Sequence, residues 1–144
     1  MEESLEIKIA KTKNELQDIF QIREKVFIEE QKAPREEEFD EYDNTSEHVI
    51  VRYNKKPIGC ARIRIVNGKI KLERIALLKA YRRKGFGKII VKFLIDHSKK
   101  QNPKEIYAST QYRLLDFYTN LGFKTRGNTY QECGIKHIEM YLDS

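Results

Sequence analysis

The sequence predicts a single α/β domain with a mixed central β-sheet flanked by helices. Short apolar or alternating segments, which are typical of strands, interleave with segments whose apolar residues recur at helical spacing. A strand, a helix and another strand follow one another in the second half, an order that implies a right-handed parallel crossover. The 144 residues are enough for one substantial core. We therefore assign residues 1–144 to one domain.

The N-terminal part predicts one strand and one long helix. Leu5–Ala10 alternates as a half-buried strand does. Thr12 and Glu15 match the capping-box pattern of a helix start, and we expect this helix to reach about Glu30. Its expected buried face consists of Leu16, Ile19, Phe20, Arg23, Val26 and Phe27.

The middle of the chain predicts an acidic loop and three antiparallel strands. The segment from Glu36 to Asp43 is crowded with acidic residues, and the chain lacks periodicity up to Ser46, so we expect a loop with room for a helical turn. Asn67-Gly68 is a strong hairpin signal. The three strands are expected at His48–Tyr53, Ile58–Val66 and Lys71–Leu77.

The C-terminal part predicts two helices and three strands. One helix is expected at Gly87–Lys99, and Asn102-Pro103 separates it from a short strand at Glu105–Thr110. A second helix at Tyr112–Leu121 is followed by Gly122 at the C-terminal cap position. The last hairpin is expected to pair Phe123–Tyr130 with Ile135–Leu142.

A basic turn with two glycines lies between the strand ending at Leu77 and the helix expected after it. The first N–H groups of a helix have no partner within the helix, and the helix dipole favours a bound anion there. Gly85 and Gly87 let the backbone approach such an anion closely. The spacing matches neither a dinucleotide fingerprint nor a Walker loop, yet a polyanionic ligand is expected. The positive side chains of the turn are Arg82, Arg83, Lys84 and Lys88.

Composition argues against several classes of protein. No apolar run is long enough to cross a membrane and the N-terminus is acidic, so we expect a cytoplasmic protein. The net charge is +6, but the basic residues are mixed with acids and we expect no nucleic-acid partner. Cys60 and Cys133 lie far apart and the three histidines lack ligand spacing, so neither a disulfide nor a metal site is expected.

Several motifs together resemble the GNAT superfamily of N-acetyltransferases. Arg82–Gly87 has the pattern Arg-x-x-Gly-x-Gly and follows Glu73–Leu77, as in the acetyl-coenzyme A signature of that superfamily. Phe117–Phe123 is similar to its second signature, a helix that ends Phe-Tyr-x-x-x-Gly-Phe. A narrower resemblance to the ElaA-like branch of small bacterial acetyltransferases rests on Val26–Gln31, Glu36–Asp43, Gln111 and Glu132–Met140.

The resemblance implies the GNAT fold and an N-acetyltransferase that uses acetyl-CoA as donor. The backbone of Ile75–Leu77 would pair with the pantetheine arm, and the Leu77 amide would face the thioester oxygen. The turn amides of residues 83–88 would hold the pyrophosphate, and Tyr118 would be the general acid for the departing thiolate. The implied coenzyme-binding residues are Ile75, Ala76, Leu77, Arg82, Arg83, Lys84, Gly85, Phe86, Gly87, Lys88, Gln111, Phe117 and Tyr118.

The general base and the acceptor stay open at this point. Glu73 and His137 are the two candidate bases. Glu38, Asp40 and Asp43 are candidate ligands of a cationic amine, the alternative being a solvated charged face. We expect direct transfer to a small-molecule or protein amine, because neither cysteine has an evident base beside it in sequence. The alternatives are a glucosamine-phosphate acetyltransferase and a non-catalytic coenzyme-A-binding module, and a homodimer is expected by analogy alone.

Overall fold

The chain folds around a seven-stranded mixed sheet. A computed structural model describes residues 4–142, and within them the strands lie in the order β1-β2-β3-β4-β5-β7-β6. β4 and β5 run parallel, and the other neighbouring strands run antiparallel, which confirms the expected mixed sheet. The strands are β1 (Leu5–Ile9), β2 (Glu47–Tyr53), β3 (Lys56–Val66), β4 (Lys69–Leu77), β5 (Ile106–Gln111), β6 (Phe123–Glu132) and β7 (Ile135–Leu142).

The helical segments differ in detail from the expected ones. The first helix reaches Glu30 as expected, but its last part, Glu24–Glu30, is a π-helix. The acidic segment contains a short helix, Arg35–Glu38, and a 3₁₀ turn, Glu41–Asn44. Asp40 and Asp43 stabilise this turn by capping it reciprocally. The α-helices are α1 (Lys13–Arg23), α2 (Arg35–Glu38), α3 (Phe86–Lys99) and α4 (Leu115–Asn120), and the 3₁₀ turns are Glu41–Asn44, Lys79–Tyr81 and Tyr112–Leu114.

The sheet has an apolar layer on each face. Val49 and Val51 of β2 belong to the larger core cluster, in which Ile90 and Leu94 of α3 are also fully buried. Ile50, between those two valines, belongs to the second cluster, together with residues of α1. This alternation follows from the two-residue period of a strand and places α1 and α3 on opposite faces. None of the helices within residues 4–142 is long and apolar enough to span a membrane.

β4 and β5 separate in the middle of the sheet. They pair only over Ile70–Leu72 and Ile106–Ala108 and then diverge. A β-bulge in β4 accompanies the separation, and Arg74 in the bulge has a left-handed backbone with φ +53°. Such a conformation is strained for a non-glycine residue and is typical of functional sites. The separation leaves a gap between the two strands.

Candidate active site

A cavity of about 390 Å³ lies at the gap between β4 and β5. Residues 72–75 of β4 line one side, and residues 108–111 of β5 line the other. Tyr118 of α4 and His137 of β7 also line the cavity. The fold therefore brings the predicted general acid and both candidate bases, which include Glu73, to one cavity.

The glycine turn forms the N-terminus of α3. The helix begins at Phe86, and Gly85 occupies the N-cap position with a left-handed backbone, φ +84°. Within residues 4–142, the amides of residues 83–88 have no hydrogen-bond acceptor, so six successive donors are available to an anion. A Cβ added to Gly87 would lie 3.5 Å from the ring of Phe117. This contact places the turn beside α4.

Arg82 stabilises the turn by contacts within the protein. Its Nε donates to the Leu77 carbonyl at 2.9 Å, and its two terminal nitrogens bind the Glu30 carboxylate at 2.6 and 2.8 Å. This hydrogen bonding lowers the pKa of Glu30. The side chain thus connects the end of β4 to the π-helix and is engaged before any coenzyme binds. Three basic side chains of the turn make no ion pair with residues 4–142: Arg83, Lys84 and Lys88.

The edge of β4 presents backbone groups to the gap. The Leu78 amide donates to the Ile58 carbonyl in β3 at 2.8 Å. Because successive N–H groups of a strand point to opposite sides, the amides of Leu77 and Ile75 face away from β3 and towards the gap. Ala76 is 5% exposed and packs in the second core cluster. The pantetheine pairing expected for Ile75–Leu77 stays a prediction, but these donors have the orientation that it requires.

Tyr118 presents an unpartnered hydroxyl to the cavity. Its ring is 6% exposed and is held between Phe117 and Phe123, with ring centroids 5.0 and 5.5 Å away in edge-to-face arrangements. No group within residues 4–142 makes a hydrogen bond to the hydroxyl. Burial raises the pKa of Tyr118 to about 12, so the phenol is protonated at neutral pH. It is available as a proton donor.

Glu73 is surrounded by basic side chains. Its carboxylate lies 2.9 Å from Arg62, 3.2 Å from Arg64 and 3.2 Å from Lys71. Burial alone would raise the pKa of Glu73, but the three positive charges outweigh burial and lower it. A carboxylate held this way is a weaker proton acceptor. The geometry therefore disfavours Glu73 as the general base.

The carboxylates of Glu38, Asp40 and Asp43 bind arginines inside the protein. Arg23 donates to Glu38 at 2.8 Å and to Asp43 at 2.7 Å. Arg62 donates to Asp40 at 2.6 Å and to Asp43 at 2.8 Å. Both arginine side chains are only 1% exposed. The predicted amine-binding role of these carboxylates stays untested, and their hydrogen bonds show that they hold the acidic segment against the sheet.

Three arginines that bind these carboxylates were not among the predicted site residues: Arg23, Arg62 and Arg74. Arg74, in the bulge of β4, also contacts Glu38 at 3.1 Å and Asp40 at 3.1 Å. A signal for Arg23 was present, since it was the one charged residue on the expected apolar face of the first helix. A buried guanidinium requires acidic partners, and the nearby acidic segment was the obvious source.

The side chains of His137 and Gln111 both make polar contacts with neighbouring segments of the chain. His137 is 7% exposed, its Nδ1 donates to the Ile135 carbonyl at 2.7 Å, and its Nε2 lies 3.3 Å from Glu132 Oε2. Gln111 donates to the Gln31 side chain at 3.0 Å, which connects β5 to the end of the π-helix. Their predicted roles, as base and as coenzyme ligand, stay predictions.

Neither cysteine is an activated nucleophile. Cys60 is fully buried, which raises its pKa to about 12. Cys133 donates to a Glu37 carboxylate oxygen at 3.2 Å, and burial together with this contact raises its pKa to about 11. The part of the chain that the structure describes holds no group of three or more His, Cys, Asp or Glu side chains that could bind a metal ion.

Residues 9–144 match the acetyltransferase (GNAT) domain. The chain belongs to the GNAT acetyltransferase family. This GNAT acetyltransferase is 38% identical to the uncharacterised N-acetyltransferase YjcF of Bacillus subtilis (strain 168), over 94% of this chain and 97% of YjcF. The family expected from the motifs is confirmed.

Solved structures confirm the fold of this GNAT acetyltransferase. Escherichia coli ElaA is similar with a TM-score of 0.88 at 23% identity, over 97% of this chain and 100% of ElaA. A GNAT family acetyltransferase from Elizabethkingia anophelis with acetyl-CoA bound is similar with a TM-score of 0.77 at 18% identity, over 97% of this chain and 98% of that one.

Proposed function

We propose that this GNAT acetyltransferase transfers the acetyl group of acetyl-CoA directly to the primary amine of a small molecule or a protein. One observation carries the proposal: the free amides of residues 83–88, the open edge of β4 and the Tyr118 hydroxyl follow one another towards a single cavity. Pyrophosphate, pantetheine and thioester follow one another in the same order along the donor. Each part of the donor therefore meets a group suited to it.

The donor would be held mainly by backbone groups. The amides of residues 83–88 would bind the pyrophosphate, helped by the unpaired charges of the turn. The amides of Ile75 and Leu77 would pair with the pantetheine arm as an added strand does. The Leu77 amide would then stabilise the negative charge that develops on the thioester oxygen during attack.

The transfer step needs a proton donor and no covalent enzyme intermediate. The acceptor nitrogen attacks the thioester carbonyl carbon, the C–N bond forms, the C–S bond breaks, and the thiolate takes a proton from Tyr118. Because the pKa of Tyr118 is raised to about 12 and its hydroxyl has no partner within residues 4–142, the phenol has a proton to give. The raised thiol pKa values of Cys60 and Cys133 argue against an acetyl-cysteine route.

Most cationic side chains of the cavity are paired with carboxylates, which favours an amine acceptor over a sugar phosphate. Arg64 and Lys71 line the cavity, but both lie 3.2 Å from Glu73 and are paired with it. Arg113 also lines the cavity and donates to the Gln111 side chain at 2.9 Å, so it is the one cavity cation among the described residues that a phosphate group would meet without displacing a carboxylate. The unpartnered Tyr118 hydroxyl favours catalysis over coenzyme binding alone.

The test is thiol release from acetyl-CoA with a panel of primary amines, in wild type and in Tyr118→Phe. The variant should bind acetyl-CoA as wild type does in calorimetry but turn over about 100-fold more slowly, because a positioned general acid contributes at least that factor. Tyr107→Phe, outside the cavity, is the matched control and should be unaffected. Equal turnover in Tyr118→Phe and wild type would remove Tyr118 from the mechanism.

A further inference from the structure

We propose that Glu132 receives the ammonium group of the acceptor and removes its proton, with Ser109 and His137 as positioning residues. This inference rests on the proposed acetyl transfer and names the residue that the acceptor meets. Glu132 is the last residue of β6 and lines the same cavity as Tyr118. The cavity therefore holds a proton donor for the thiolate and a proton acceptor for the amine.

Glu132 differs from three other carboxylates of the cavity in having no lysine or arginine partner. Glu38, Asp40 and Glu73 each bind arginine side chains that are themselves largely buried. Their charges are matched inside the protein, so an ammonium group would have to displace an arginine to reach them. Among residues 4–142, no lysine or arginine contacts Glu132. Its charge is therefore available to a cationic acceptor.

Three adjacent strands hold the Glu132 carboxylate through one of its oxygens. Ser109 of β5 donates to Oε2 at 3.1 Å, and His137 Nε2 of β7 lies 3.3 Å from the same oxygen. Ser109 is in turn hydrogen-bonded to the Tyr130 hydroxyl. The other oxygen, Oε1, makes no hydrogen bond and no ion pair with residues 4–142. Contacts to Oε2 thus orient the carboxylate, and Oε1 is left to accept a hydrogen bond from the acceptor ammonium group.

The orientation of the His137 ring suits a position beside a base. The Ile135 carbonyl can only accept a hydrogen bond, so Nδ1 donates to it and Nε2 is the nitrogen directed at Glu132. A Glu132 carboxyl group that has taken up a proton on Oε2 can donate it to Nε2 of a ring whose proton is on Nδ1. The ring can therefore offer a hydrogen bond to the protonated carboxyl group.

Two protons leave the acceptor nitrogen during the transfer. The acceptor ammonium gives one proton to Glu132, and the freed nitrogen lone pair attacks the thioester carbonyl carbon. The C–N bond forms and the C–S bond breaks, and Tyr118 protonates the thiolate. The nitrogen, now part of the product amide, releases a second proton to water, from which Tyr118 regains its own. Glu132 returns its proton to water, so one proton is released for each amide formed.

The test compares Glu132→Gln with Glu29→Gln, using acetyl-CoA and n-butylamine as probes. Glu29 is exposed and lies outside the cavity, and its substitution by Gln removes the same negative charge. The first measurement is thiol release. Glu132→Gln should lower kcat/KM for the amine about 100-fold with unchanged calorimetric acetyl-CoA binding, because a positioned base contributes at least that factor. Ser109→Ala removes a group that orients the Glu132 carboxylate but keeps the carboxylate itself. It should therefore raise KM for the amine while Glu132 still accepts the proton.

A second measurement does not depend on turnover. Cys133 is exposed and adjacent to Glu132, and Cys60 is fully buried, so alkylation reports on Cys133. With coenzyme A bound, n-butylammonium should change the alkylation rate saturably in wild type and Glu29→Gln, but not in Glu132→Gln. The assignment of Glu132 is overturned if acetyl-CoA binds but the amine does not change the alkylation rate of the wild-type protein. It is also overturned if Glu132→Gln and Glu29→Gln show the same response to the amine. Failure of acetyl-CoA to bind would instead overturn the proposed function.

Discussion

Arg62→Met removes the central cation of the buried network beside the cavity. The Arg62 guanidinium lies 2.6 Å from Asp40, 2.8 Å from Asp43 and 2.9 Å from Glu73, and the side chain is 1% exposed. Removing one partner of a buried ion pair destabilises a protein by about 3–5 kcal/mol, because the remaining charge stays desolvated. Each carboxylate retains another cation, for example Arg23 at 2.7 Å from Asp43. We therefore expect the free energy of unfolding to fall by about 3 kcal/mol. For a domain of this size, this corresponds to a Tm lower by about 6–12 °C.

The penalty should shrink in acid. Burial alone would raise the pKa of Asp40 and Asp43, but hydrogen bonds from Arg62, and from Arg23 to Asp43, outweigh it and lower both. A lowered native pKa stabilises the fold above the unfolded pKa of about 3.9, and this stabilisation is lost as pH falls through the native value. Arg62→Met lacks much of this contribution. Its stability should therefore approach that of wild type only as the pH falls well below about 3.9 and through the lowered native pKa values.

The assay is urea denaturation followed by circular dichroism at pH 7 and at about pH 2.5, well below the unfolded aspartate pKa. Arg52→Met is the control, because Arg52 lies 3.4 Å from the exposed Glu6 and only 3.6 Å from the buried Glu15, which keeps Lys8 at 2.6 Å as its nearer cation. It should lose less than about 1 kcal/mol. If Arg62→Met lost no more than this control at pH 7, or lost the same amount at both pH values, the reasoning about the network would be refuted.

Two further predictions concern the cysteine and the first helix. Cys133→Ala should keep kcat within about threefold of wild type, because a thiol whose pKa is raised to about 11 is not the nucleophile; a loss of about 100-fold in the thiol-release assay would revive a covalent route. Thr12→Ala removes the capping box in which Thr12 accepts from the Glu15 amide at 3.1 Å and should destabilise the protein by about 1 kcal/mol. Urea denaturation measures this effect, and an unchanged midpoint would contradict it.

Features determined by neighbouring residues could be predicted from the sequence. The strand boundaries were predicted closely, because alternation and turn residues act over a few positions. The Thr12 capping box and the amides at the N-terminus of α3 follow from local patterns and were also found. Tyr118 was found through a motif, and its position in the cavity agrees with the role that the resemblance implies.

Features determined by contacts between distant residues were missed. Arg62 meets Asp40 across 22 positions of sequence, and Arg23 meets Glu38 across 15. No local pattern indicates such partners, so the sequence left the acidic segment as either an amine-binding surface or a solvated charged face. The separation of β4 from β5 depends on pairing between strands joined by α3. Glu132 was predicted only as part of a motif, because its separation from lysine and arginine side chains is visible only in three dimensions.

The most direct test of the account is calorimetric titration with acetyl-CoA of wild type, Gly85→Glu and Gly127→Glu. Gly85 and Gly127 have φ of +84° and +76°, and an added Cβ would meet no atom within 4 Å at either, so the two variants carry similar backbone strain. Only Gly85→Glu places a negative charge beside the amides of residues 83–88. The account predicts that wild type and Gly127→Glu bind acetyl-CoA and that Gly85→Glu binds about 100-fold more weakly or not at all. Wild-type affinity in Gly85→Glu, or no binding by the wild-type protein, would contradict it.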